Sequence, residues 1–517
     1  MRGLHGRHAV LGAAIALGVA GVLASMSAPN PAAGAERSSV YPIDHQHLSF
    51  LSIDDELARV LAENGFTGRI ESTLEARLGR KIDPMLADLG RHLFFDKILS
   101  LHVDNACAGC HSPTNGFGDT QSIAIGIQNN GIVGPGRTGP RNQRRTPMVI
   151  NNAFYPKLMW NGRFRSASGD PFDNSEGFVF PLPEGVTRFG PGDPRYKHLL
   201  VAQAHIPPTE QVEVAGFTGT GGPFDDGLGH LVPPPDSSGS RNEPIRQAVL
   251  RLLNESSGYR EAFSRVFPHV AQGGQILFED VGQAIAEFEF TLVFANAPVD
   301  RFARGERFAM TPAQKRGALL FFGPRAGCVS CHAVAGQSNE MFSDFEMTGA
   351  GIPQLAPIYG VGTGNIEFAG PGKDEDFGLE DITGSTLDRY DFRISPLRNV
   401  ALQPAFFHDG AFKRLEDAIR YHLNATTEAV IYDPTAAGLA PDLCVRMGPI
   451  DPVLGKLDAR LSDPTFFSEE EIADLVAFVR DALLDERAKP ENLMKLIPKE
   501  LPSGLPPLTF EGPVPPR

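Results

Sequence analysis

Two short runs in this 517-residue chain carry side chains that can hold a redox cofactor: Cys107-Ala-Gly-Cys110-His111 and Cys328-Val-Ser-Cys331-His332. Each is C-x-x-C-H, the attachment pattern of a c-type haem. Two thiols about one helical turn apart can add to the two vinyl groups of one haem, and the adjacent imidazole then lies beneath the iron as its proximal ligand. A zinc site made from C-x-x-C pairs needs no His directly after each pair, and pairs so far apart suit no compact zinc ribbon. A redox dithiol needs a single pair in a βαβ setting. The doubled motif therefore predicts two covalently bound haem c groups. Cys444 is left over as a free thiol with no assigned role.

The elements that must position these motifs form an internal repeat. Asp83-Pro84 is an N-cap followed by Pro at the first helical position. The helix it opens runs through Gly90-Arg91-His92-Leu93-Phe94-Phe95 to the first haem motif. Thr311-Pro312 opens a second helix that runs through Gly317-Ala318-Leu319-Leu320-Phe321-Phe322 to the second motif. Each module reads as capped helix, G-x-x-L-F-F, loop, C-x-x-C-H. A capping box, Ser468-x-x-Glu471, predicts a further helix to about Glu486, with Ile472, Leu475, Val476 and Val479 on its apolar face. Two more helices are expected over Asn242–Phe267 and Asp280–Asn296. The Gly/Pro/Asp/Ser-rich stretch 166–241 reads as a long loop insertion, and 349–391 as another Gly/Pro-rich loop. The expected fold is mainly α: two tandem c-type cytochrome-like helical domains, at 36–300 and 301–497, with long loops and little β. A Pro-rich tail, 498–517, is expected to be extended over the surface.

Composition narrows the class. With 43 Pro and 55 Gly the chain is loop-rich, and 42% hydrophobic residues still suffice for packed cores. A formal charge of −15 argues against nucleic acid as a partner, because phosphate binding wants a basic face. Residues 1–35 read as a cleaved signal peptide: Arg2 and Arg7, an apolar small-residue run from Ala9 to Met26, then Ala33-Gly34-Ala35. The rival reading is an uncleaved anchor helix, which the many Gly and Ala residues disfavour. The expected location is the periplasm, with a mature protein that is not embedded in a membrane. One Trp in a chain of this length is unusual.

In order and local wording the stretch from Asp83 to about Glu486 resembles the bacterial di-haem cytochrome c peroxidase family, including its MauG-type branch. The resemblance is carried by Leu89–Asp96, the first haem motif, Thr146-Pro147-Met148-Val149-Ile150-Asn151-Asn152-Ala153-Phe154 and Trp160-Asn161-Gly162-Arg163. Beyond the second haem motif it continues in Arg393–Leu402 and Phe407-His408-Asp409-Gly410. It implies that hydrogen peroxide meets the N-terminal haem, that the C-terminal haem stores or relays electrons, and that a Trp, here Trp160, lies between them. It also implies a distal carboxylate that moves a proton between the two peroxide oxygens. Counted from Trp160 that group is Glu184, in an apolar setting that would raise its pKa. The Gln usual ten residues earlier is replaced by Asn174, and Phe178 stands where Pro is frequent.

Two departures from the family pattern follow. Many members carry a second His sixteen residues after the first haem His, which blocks the resting iron. Here that position is Ile127, so the N-terminal haem is expected to be five-coordinate and open; Arg137, Arg141, Arg144 and Arg145 surround the loop but are no ligands. Fourteen residues after His408, where peroxidases have Met and MauG-type proteins Tyr, stands His422, with Tyr421, Met447 and Met341 in reserve. His/His ligation lowers a haem's potential relative to Met/His. A calcium ion is implied between the domains, with Asn142 and backbone groups near Gln403 and Ala405 as candidate ligands, although strict register places Arg145 at the Asn position.

The expected activity is reduction of hydrogen peroxide to water with electrons from a small donor protein, a cytochrome c or cupredoxin. The alternative is a MauG-like oxidase that uses peroxide to reach a high-valent two-haem state and oxidises a protein or small-molecule substrate at long range. A pure electron carrier, with two six-coordinate haems, is the reading from outside enzymology. A homodimer is one assembly the sequence allows.

Overall fold

Helix caps written into the sequence set the architecture. The computed structural model describes residues 52–185, 188–216, 232–357 and 368–512. The expected signal peptide lies outside these residues, as do parts of the two long loops and the last five residues of the tail. The principal helices are α1 (Ile53–Glu63), α2 (Pro84–Phe95), α3 (Asn242–Glu255), α4 (Phe278–Phe290), α5 (Pro312–Phe322), α6 (Leu415–Leu423) and α7 (Glu469–Ala477). Asp83 caps α2 by accepting from the main-chain N–H of Met85 and Leu86. Thr311 with Gln314, and Ser468 with Glu471, close capping boxes on α5 and α7. Each cap satisfies otherwise orphaned N–H donors and stabilises by about 1 kcal/mol.

The repeat expected from the sequence is a repeat of packing. Gly90 on α2 lies against α4, where any Cβ would overlap the Ala284 carbonyl; Gly317 on α5 lies against α7, where a Cβ would overlap the Asp474 carbonyl. In both modules the glycine of G-x-x-L-F-F lets two helices cross at backbone contact. The following Phe pair then enters the core beside a haem-motif His: Phe94 lies 6.1 Å from His111 and Phe321 6.3 Å from His332, ring centre to ring centre.

Three helical expectations are trimmed. The Asn242 helix stops at Glu255, because Ser256 turns extended and caps a separate helix, Ser257–Ser264. The helix expected over Asp280–Asn296 is α4, which begins at Phe278 and ends at Phe290. Beyond α7 the chain widens into a π-type turn, Phe478–Ala482. The insertion is not structureless: it contains a short helix, Leu199–Gln203, and a π-type turn, Gln211–Ala215.

Strands are two or three residues long: β1 (Ile132–Val133), β2 (Lys157–Leu158), β3 (Phe164–Ser166), β4 (Phe178–Val179), β5 (Met347–Thr348), β6 (Phe392–Arg393) and β7 (Thr509–Phe510). The antiparallel sheet β2-β3-β4 braces the Trp160 turn, and β5 pairs antiparallel with β6. The tail is tied down: β7 runs parallel to β1, in register Ile132 with Thr509.

The chain ends cross between modules. Leu57 and Leu61 of α1 pack into the core formed by α5 and α7. Ala488, Leu493 and Leu501, late in the chain, pack into the core formed by α2, α3 and α4. Each fully buried Leu contributes about 1.5–3 kcal/mol, so both ends stabilise the module remote from them in sequence. No helix among the described residues is long and apolar enough to cross a membrane.

Candidate functional site

Two cavities open at the two C-x-x-C-H motifs. Cys107–Cys110 form one helical turn, and Cys328–Ser330 a tighter one. The spacing brings each thiol pair and its following His to one wall: Cys107, Cys110 and His111 line the first cavity, and Cys328, Cys331 and His332 the second. Burial pushes the thiol of Cys107 up to about 12 and that of Cys110 to about 11. No disulfide joins the described cysteines. Neutral, unpaired thiols beside a His are the donor set that haem attachment needs.

The imidazoles are oriented from behind. Nδ1 of His111 lies 3.2 Å from the Phe117 carbonyl, and Nδ1 of His332 lies 2.9 Å from that of Phe342. A carbonyl at Nδ1 fixes the tautomer and leaves Nε2 as the metal-binding atom. His422, on α6, is held the same way, Nδ1 lying 2.8 Å from the Ala418 carbonyl. It lines the second cavity opposite His332, with the ring centres 6.3 Å apart. An iron bonded to one nitrogen of each ring at about 2.0 Å would set the ring centres about 6 Å apart, so the separation of the pair suits one shared iron. The three reserves lie elsewhere. Tyr421 donates its hydroxyl to the Gly351 carbonyl at 2.5 Å, Met447 packs with Leu355 and Leu443, and Met341 is buried beside Tyr155 and Phe345. None of the three lines the second cavity.

The first cavity has His111 and, among its lining residues, no second His. Ile127 is fully buried in an apolar cluster with Val212, Ala356 and Phe368, and its main-chain N–H donates to the Val212 carbonyl at 3.2 Å. A hydrocarbon thus stands at the position of the family's blocking His, bracing the turn 211–215.

The carboxylate expected at Glu184 lies away from the cavities, and other carboxylates line the first. Glu184 lines neither cavity. It is buried in an ion pair with Arg246 at 3.0 Å and accepts from Asn242 at 2.9 Å. Asn174 also lies away from both cavities, donating to the carbonyls of Asp193 and Tyr196. The carboxylates that do line the first cavity are Glu210, Glu213 and Glu289. Burial, reinforced by the neighbouring Glu210 charge and opposed by Arg163, pushes Glu213 up to about 7. Burial also pushes Glu289 up to about 7, and its carboxylate is held by the Asn152 amide at 2.9 Å. The sequence carried the signal: Gln203, Pro207 and Glu213 repeat the spacing of Asn174, Phe178 and Glu184, with the family's own Gln and Pro in place. Counting from Trp160 reaches the first of these two registers and not the second.

Trp160 lines both cavities, together with Arg145, Pro147, Met148, Tyr155 and Arg393. A kink at Met159, whose φ is 67°, and Gly162 at 65° aims it there. Its indole N–H donates to the Arg145 carbonyl at 2.7 Å, and its own carbonyl accepts from the Arg393 N–H on β6 at 2.7 Å. The first module therefore holds the indole, and the second holds the main chain of the same residue.

The expected calcium ligands are divided between the two cavities. Asn142 lines the first cavity, whereas Gln403 and Ala405 line the second. Gln403 Oε1 is already engaged by the Arg145 guanidinium at 2.6 Å. No group of three or more His, Cys, Asp or Glu side chains suited to a metal ion occurs among the described residues.

Residues 84–308 match the model of the di-haem cytochrome c peroxidase family. The cytochrome-c peroxidase IdrP1 of a Pseudomonas species is 27% identical over 350 residues, which span 65% of this chain and 70% of its own. The methylamine utilization protein MauG of Methylophilus methylotrophus is 25% identical over 351 residues, 68% of this chain and 76% of its own. Among solved structures, a MauG-like protein associated with microbial copper homeostasis shares the fold with a TM-score of 0.51, over 79% of this chain and 91% of that one, at 22% identity.

Proposed function

This chain is an oxidoreductase of the di-haem cytochrome c peroxidase family, and from that premise we propose that it is a periplasmic peroxidase that reduces hydrogen peroxide to water. Cys107 and Cys110 with His111 would hold one haem, and Cys328 and Cys331 with His332 and His422 would hold the other. The observation that carries the reading is the asymmetry of the cavities: a pair of His in the second, a single His with two raised-pKa carboxylates, Glu213 and Glu289, in the first. Haem iron, when bound, supplies the site at which the peroxide O–O bond is split and through which electrons pass.

The protein's part is proton handling and positioning. Glu213 accepts the proton from the near peroxide oxygen and returns it to the far one, so that the leaving oxygen departs as water. A carboxyl with pKa about 7 exchanges a proton at neutral pH with little driving force lost in either direction. Arg163, 3.2 Å from Glu210, holds that second carboxylate in an ion pair beside Glu213. Gln203 and Pro207 line the same wall. Trp160 couples the two cavities. The balance closes as H2O2 plus two electrons and two protons giving two waters, the electrons coming from an exported cytochrome c or cupredoxin.

One observation favours the MauG-like alternative, an oxidase acting on a protein or small-molecule substrate: His422, not a Met, faces His332, and two imidazoles give a low-potential site that holds a donor's electrons poorly. Steady-state peroxide turnover with a reduced small cytochrome separates the two. Sustained oxidation of the donor supports the peroxidase. A single stoichiometric reaction with peroxide and no donor oxidation assigns the oxidase instead.

A further inference from the structure

Between the two cavities lies a buried cation that forms no ion pair among the described residues. Arg145 is 3% exposed. Its guanidinium donates to the carbonyl oxygen of Asp119 at 3.0 Å, to that of Gln121, and to Oε1 of Gln403 at 2.6 Å. The Asp119 carboxylate is used elsewhere, accepting from the main-chain N–H of Gln121 at 2.8 Å and of Thr146 at 2.9 Å. Gln403 is turned with its oxygen toward Arg145 because its Nε2 donates to the Asn115 carbonyl at 2.6 Å. Gly118 makes the room, since a Cβ there would lie 2.6 Å from Oε1 of Gln403. Burial lowers Arg145 to about 10, which leaves it charged at neutral pH.

Main-chain carbonyls and a side-chain amide are the neutral oxygen donors that a hard cation such as calcium selects. Here those oxygens face the N–H fork of an arginine, which supplies five donors in fixed geometry. The same residue's backbone completes the junction: its N–H donates to the His408 carbonyl at 2.6 Å, and its carbonyl accepts from Trp160 Nε1 at 2.7 Å. One side chain thus ties the 119–121 loop after the first haem motif to the 403 segment of the second module, and its own peptide group fixes the indole.

We propose that the Arg145 guanidinium is the built-in cation of the junction between the two cavities, standing in place of a bound calcium ion and positioning Trp160. The ion cannot be chelated or diluted away, and it carries one charge instead of two. The inference rests on the di-haem reading for the identity of the cavities and not on the peroxide chemistry.

The test uses the full holoprotein and readouts other than turnover. Metal analysis is made before and after treatment with EGTA, together with the thermal midpoint and the ultraviolet resonance Raman band of the single Trp, which reports its N–H hydrogen bond. The expected result is iron without stoichiometric calcium, and no shift in midpoint or band on chelation or on addition of calcium. One calcium per chain, or a shift on chelation that calcium restores, overturns the proposal. Arg145→Lys and Arg145→Gln are compared beside it. Lys, which keeps the charge, is expected to retain the Trp band more fully than Gln. A Gln variant with the wild-type band overturns the positioning role, and if that variant does not fold, the chelation arm on the wild-type protein still decides. Loss of peroxide activity with these results intact would count against the proposed function alone.

Discussion

Replacing Glu213 with Gln removes the proposed proton carrier while keeping nearly the same shape. The size of the effect follows from the site. With a pKa near 7 the carboxylate is about 90% ionised at pH 8 and about 10% at pH 6, so a reaction that needs it as a base slows about tenfold over that interval. Below pH 6 the rate continues to fall about tenfold per unit. Glu213→Gln abolishes that pH dependence and, as for other general acid–base groups, costs about 100- to 10,000-fold in rate. Stability moves the other way. A carboxyl whose folded pKa is raised from 4.5 to about 7 opposes folding increasingly as pH rises between those values. The neutral amide therefore relieves up to about 3 kcal/mol at pH 8 and nothing at pH 4. The assay is stopped-flow mixing of the resting protein with peroxide, followed in the Soret band from pH 5.5 to 8.5, with thermal melts at the two extremes. A slow variant that is at least as stable as wild type at pH 8 is the expected result. A Glu213→Gln protein with the wild-type rate and pH profile would refute the assignment, as would the same kinetic loss in Glu184→Gln.

Other substitutions separate structure from chemistry. Glu184→Gln removes one of the two carboxylates paired with the buried Arg246, Glu243 remaining at 3.0 Å, and is expected to cost about 1.5–3 kcal/mol in a denaturant melt, with the peroxide reaction unchanged. His422→Met is expected to raise the potential of the second haem in a redox titration, and His422→Ala to convert that haem to high spin in optical spectra. Trp160→Phe should preserve haem content and the first reaction with peroxide while slowing donor-supported turnover; in the wild type, Trp160 emission should be strongly quenched by the adjoining haems. Gly90→Ala forces a methyl into the Ala284 carbonyl and Gly317→Ala into that of Asp474, so each should cost about 1–3 kcal/mol or abolish folding, measured by thermal melts.

What was legible in the sequence was local. Asp83, Thr311 and Ser468 announce helix starts because a cap is a short-range hydrogen bond, and all three helices begin there. The C-x-x-C-H motifs and the two G-x-x-L-F-F runs lie within a few turns of one another, so their cavities could be foreseen as pairs. Periodicity marks a buried face and not what covers it. Nothing in Leu57 and Leu61 says that they pack on the second module, or in Leu493 and Leu501 that they return to the first. The distal carboxylate is hard to read for a related reason: a fixed count holds only where the loop keeps its length, and beyond Trp160 both Asn174 to Glu184 and Gln203 to Glu213 have the same spacing, of which only the second lines the first cavity. Arg145 was visible at the calcium register, but its three oxygen acceptors come from positions 119, 121 and 403 and meet only in the folded chain.

The most direct measurement is electron paramagnetic resonance of the resting ferric holoprotein, repeated with cyanide. One open site beneath His111 and one site closed by His332 and His422 predict a high-spin signal and a low-spin bis-imidazole signal of equal intensity, with cyanide abolishing only the first. Two low-spin signals that cyanide leaves untouched would contradict the open first cavity and reduce the protein to an electron carrier.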